Sequence, residues 1–173
     1  EKNNKGELNI EKLCVIGSDV SAIVALNWAV YDWSQPGNVL VKNGQDVKAL
    51  ILLTPVASYK GFTAQQALNH VVIQGTLSIM ILAGKIDTKY YSGSKRIYNQ
   101  LARFHPEKFE DEKDKLENQT LFEYGLNTKT QGSGMLLVSN LKPNPRDLIA
   151  GFIRYRLEKQ EGYIWKNRRI TAE

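Results

Sequence analysis

The chain has 173 residues, 42% apolar and 24% charged, and its 23 basic and 18 acidic side chains give a formal charge of +5. This is ordinary globular composition, which excludes disorder as the default, and the length fits one domain, residues 1–173, able to bury roughly 70% of its unfolded surface. No run reaches the roughly 18 apolar residues of a transmembrane segment, no signal peptide is visible, and aromatic and basic residues do not alternate as a nucleic-acid stacking platform requires.

The opening EKNNKGELNIEK reads as the polar end of a helix and a loop, with no starting methionine, so upstream material is expected. Leu13 to Ile16 is a short apolar run bounded by Gly17, the pattern of a strand buried on both faces. Its Cys14 is the single cysteine, which permits no internal disulfide and reads as a buried structural thiol; the compartment stays open. Ala22, Val24, Ala25, Leu26, Trp28 and Ala29 predict a largely buried helix ending near Trp33, before Ser34-Gln35-Pro36-Gly37.

Val47 to Leu53 predicts a second buried strand, stopped by Thr54-Pro55, and residues 63–70 a short helix. Leu77 to Ala83 predicts a third strand and Ser94 to Phe104 a helix after it. The charged segment from Pro106 to Asn118 reads as a solvated loop or helix end, and Thr120 to Leu126 as a fourth strand. The last helix carries the clearest start signals, Asn144 as N-cap and Pro145 at the first position, followed by an apolar face of Leu148, Ile149, Phe152, Ile153 and Tyr155. Much of the excess charge lies beyond it in Lys166, Arg168 and Arg169, a weak sign of an acidic partner. Strands alternating with helices predict an α/β fold, with a mainly parallel sheet and helices on both faces.

Ligands of such sheets sit at the carboxyl ends of the strands, so the turns there are the candidate sites. The first turn, Gly17 to Ala22, lacks the three glycines of a dinucleotide fingerprint and the Gly-Lys-Ser/Thr of a phosphate loop. It does fit the frame of a nucleophile elbow, G-x-S-x-G, with Asp19 at the nucleophile position and Ser21 at the second glycine. Ser21 is small enough for the close approach and able to cap the helix, and Asp19 tolerates the strained backbone of an elbow better than most residues.

On these residues the chain resembles the C-terminal half of an α/β-hydrolase. The stretches GELNIEKLCVIG, ALNWAVYDW, GQDVKALILLTP and KGF are similar to a bacterial group of α/β-hydrolase-like proteins. The resemblance implies that Asp87, in GKID, stands at the acid position, where the alternative is a turn aspartate. It places Ser133, in TQGSGMLL, where the histidine belongs, and makes the backbone N–H of Val20 an oxyanion donor. The second oxyanion donor would lie in a His-Gly loop of the N-terminal half, and no such loop occurs here.

Haloalkane dehalogenases and epoxide hydrolases use an aspartate nucleophile on this fold, but their ester intermediate needs a base for cleavage. The 22 residues from Pro55 to Thr76 are also too few for the large cap of those enzymes. Of the two histidines, His105 is expected at the surface, about 15 Å from the chemistry at 1.5 Å per helical residue, and His70 at a helix end. No metal site or cofactor is indicated, since the histidines are 35 residues apart without a ligand-spaced acidic motif.

Two functions follow as expectations. One is a non-catalytic hydrolase-fold protein serving as a binding or structural component of an assembly. The other is an active hydrolase of an ester or related small substrate, with Asp19 as nucleophile or water-orienting carboxylate and Asp87 as its partner. In the family the strand at residues 13–16 pairs with one from the missing half. The chain is therefore expected to be a fragment, a processed product or one part of an assembly, with another polypeptide covering that edge.

Overall fold

A computed structural model describes residues 9–36, 43–105 and 108–163. The basic tail at 166–169 and most of the opening stretch lie outside them. The described chain is an α/β structure whose main sheet has four parallel strands in the order β1-β2-β5-β6: β1 is Leu13–Ser18, β2 Val47–Leu53, β5 Ser78–Gly84 and β6 Leu121–Leu126. Two-residue strands, β3 (Ser58–Tyr59) and β4 (Phe62–Thr63), form a separate antiparallel hairpin that hydrophobic patterning does not reveal.

The central strands β2 and β5 are apolar almost throughout because both of their faces are covered. Leu50, Leu52, Ile79 and Ile81 point into one core with Ala22, Leu26 and Ala29 of α1 (Ser21–Trp33) and Ile97 and Leu101 of α3 (Thr88–Ala102). Their neighbours Ile51, Leu53, Met80 and Leu82 point into a second core with Phe152 of α5 (Pro145–Ile153) and Met135. Residues of opposite parity thus serve opposite layers. The Asn144 side chain caps α5 by accepting the Arg146 N–H at 2.9 Å.

Several expectations are corrected. Val24 and Trp28 are 64% and 42% exposed, so α1 is buried along one face only. The helix expected over residues 63–70 is reduced to α2, Gln65–Leu68, followed by a π-helical turn at Val72–Thr76. Helix α3 starts six residues earlier than expected because Asp87 caps it, and the charged segment contains a short helix, α4 (Glu112–Asn118). His105 is buried at 6% exposure, not at the surface, since its Nδ1 bonds the Thr120 hydroxyl at 2.8 Å just before β6. Cys14 is half-buried, and burial pushes its thiol up to about 12, which leaves it protonated and unreactive at neutral pH.

Candidate functional site at the carboxyl ends of the strands

The parallel register brings the turns after β1, β2, β5 and β6 to one edge of the sheet. Asp19 occupies the apex of the first turn with φ 51°, the left-handed conformation an elbow demands. Its N–H bonds the Leu53 carbonyl at 2.9 Å, extending the β1–β2 ladder by one residue. A Cβ on Gly17 would stand 2.7 Å from the Ala22 Cα, so strand and helix approach as closely here as the elbow frame requires. Ser21 is not the N-cap: it is the first residue of α1, and its hydroxyl bonds back to the N–H and carbonyl of Ser18 at 2.8 and 2.7 Å.

The turn after β6 folds onto this apex. The Ser133 N–H donates to Ser18 Oγ at 2.9 Å, and that hydroxyl donates to Asp19 Oδ2 at 2.8 Å. Gly132, with φ 59°, lies so close to Asp19 that any side chain there would overlap the carboxylate. The structure therefore brings the Asp19 and Ser133 turns together, but through backbone and the Ser18 hydroxyl.

Asp87 stands elsewhere in role. Its Oδ1 accepts the N–H groups of Lys89 and Tyr90 at 3.2 and 3.5 Å, so it acts as the N-cap of α3 and bonds neither Asp19 nor Ser133. His70 bonds the Val72 N–H through Nδ1 at 3.3 Å, and His105 bonds Thr120, so neither is linked to the Asp19 carboxylate. The Val20 N–H has no hydrogen-bond partner among the described residues. Among the described residues no group of three or more His, Cys, Asp or Glu side chains is placed to hold a metal ion.

Two residues that patterning did not single out complete the arrangement. Thr54, fully buried with φ 48°, accepts the Gly132 N–H and donates to Gln131 Oε1, both at 2.9 Å. Gln131 in turn clasps Gly84, accepting its N–H at 3.1 Å and donating to its carbonyl at 2.9 Å. The ends of β2 and β5 and the turn after β6 are thereby joined through one amide side chain, with Gly132 pressed against the elbow. A positive φ at a β-branched residue is a costly conformation that only a fixed surrounding sustains.

The chain matches no known protein family, no curated protein and no solved structure.

Proposed function

We propose that this is a non-catalytic protein of α/β-hydrolase-like fold that acts as a binding or structural component, its elbow kept as an interlock between strand ends. The strand order, the left-handed apex at Asp19 and the return of the last turn over it support the fold-level reading. The observation that carries the functional reading is Gly132 seated on the Asp19 carboxylate, with the Ser18 hydroxyl bridging Asp19 to the Ser133 backbone. A nucleophile needs open space for an attacked atom and a base to release the intermediate. Here Gly132 crowds one oxygen of the half-buried Asp19 carboxylate, and both histidines are engaged elsewhere.

The partner would be a polypeptide that adds a strand to β1, an edge of the sheet. Helix α1, which packs on β1 and β2, turns Val24, Trp28 and Tyr31 outward at i, i+4 and i+7, an apolar stripe suited to the same contact. Hydrolysis of an activated aryl ester tests the catalytic part. The expected result is a rate no greater than buffer for both the wild type and Asp19→Ala. A wild-type rate that disappears on substitution would establish the hydrolase reading instead.

A further inference from the structure

The second core contains a cavity of about 320 Å³ between β6, α5 and α4, walled by Met80, Phe122, Tyr124, Leu148 and Phe152. Its size is at the lower end for small-molecule sites, and an apolar, aromatic wall with few polar groups is their usual lining. Glu112, Lys115, Gln119, Asp147 and Tyr155 also line it, but Arg156 is the charged group on its wall that is buried. It lies in a π-helical turn after α5, Arg154–Glu158, a distortion frequent at functional sites.

Arg156 is buried, at 4% exposure. Its terminal nitrogens donate to the carbonyls of Leu116 and Glu117 near the end of α4, whereas its Nε–H, also buried, has no hydrogen-bond partner. Among the described residues no carboxylate stands within ion-pair distance of the guanidinium, and the acids that border the cavity, Glu112 and Asp147, are exposed. A buried guanidinium with no counter-anion and a spare donor is costly, and a carboxylate meets both needs. No side chain of α4 is fully buried, and the Arg156 bonds to the Leu116 and Glu117 carbonyls tie the helix over the cavity.

We propose that this cavity binds a small carboxylate with an apolar tail, medium-chain or aromatic, its carboxylate on Arg156 and its tail among Phe122, Tyr124 and Phe152. The site is separate from the elbow and independent of the chemistry of Asp19.

Octanoate, octanol and octylamine serve as probes, titrated into the whole protein by NMR and calorimetry. Octanoate should shift the ring resonances of Phe122, Tyr124 and Phe152 and bind about tenfold or more tightly than octanol, the charge-assisted bond being the difference. Octylamine should not bind. Arg156→Met should abolish octanoate binding, but it also releases α4, so a second variant keeps the latch. A Cβ at Gly151, on the cavity wall, meets nothing within 4 Å, so Gly151→Leu puts its side chain into open space while improving helix propensity. This variant should fold at least as stably and bind octanoate about tenfold or more weakly, because its side chain takes the ligand's place. Equal binding of octanoate and octanol, shifts confined to other residues, or unchanged binding by Gly151→Leu would each overturn the proposal.

Discussion

Asp19 and Gly132 hold left-handed conformations on either side of one contact, and each is the kind of residue that makes this cheap: Asp tolerates the region, and Gly has no Cβ to strain. Gly132→Ala would add both a strained φ and an overlap with the carboxylate, so it should destabilise the protein by about 2–4 kcal/mol in denaturant titrations. Asp19→Gly in the same chain removes the overlap, and the double variant should be more stable than the sum of the singles predicts. Strict additivity would show that the two residues do not interlock. The apex position of Asp19 was legible because the strand, Gly17 and the helix frame it locally. Its contact with Gly132 was not, because those residues meet only after three further strands of the main sheet have been laid down. Thr54 was illegible for a different reason, since local propensity argues against a β-branched residue at positive φ and only the Gln131 clasp explains it.

At the level of elements, the four strands of the main sheet and the last helix were readable from sequence because their signals are local: unbroken apolar runs for β2 and β5, Asn-Pro for α5. Helix α1 was misjudged on its outer face, where Val24 and Trp28 follow helical spacing but point away from the core. His105 shows the converse error, a polar residue just past a helix end that the fold nevertheless buries between α3 and β6. Burial pushes its pKa below the ordinary value of 6.5, only partly opposed by the Ile73 carbonyl. The unfolded chain therefore takes up a proton near pH 6.5 while the folded protein does not. Stability contributed by neutral His105 is present above about pH 6.5 and is lost as pH falls toward the depressed folded value, with a slope of at most about 1.4 kcal/mol per pH unit for one proton. Comparing thermal or denaturant stability across pH 5–7 for the wild type and His105→Gln should show the variant's profile to be flatter. Parallel profiles would mean that His105 titrates equally in both states.

For the molecule as a whole, the surface proposed for assembly is the β1 edge, and strand alternation indicates which atoms it offers. The Asp19 N–H bonds Leu53 on β2, so Val15 and Gly17 face β2 as well, while Cys14, Ile16 and Ser18 direct their N–H groups outward. The outward N–H of Ser18 is already taken by Ser21 Oγ, which closes the carboxyl end of the edge and leaves Cys14 and Ile16 as the donors for an incoming strand. Ile16 is also half exposed, an apolar side chain on an edge that pairs with no other strand among the described residues, which natural sheets ordinarily cover or blunt with charge. Hydrogen exchange on the isolated chain, dilute enough to be monomeric, should find the amides of Cys14 and Ile16 exchanging fast and those of Val15 and Gly17 slowly. Addition of the proposed partner strand should then slow the first pair with little change in the second. Protection of Cys14 and Ile16 in the lone monomer, equal to that of Ile51 in the central strand, would mean the edge is already satisfied, and the assembly role built on it would fall.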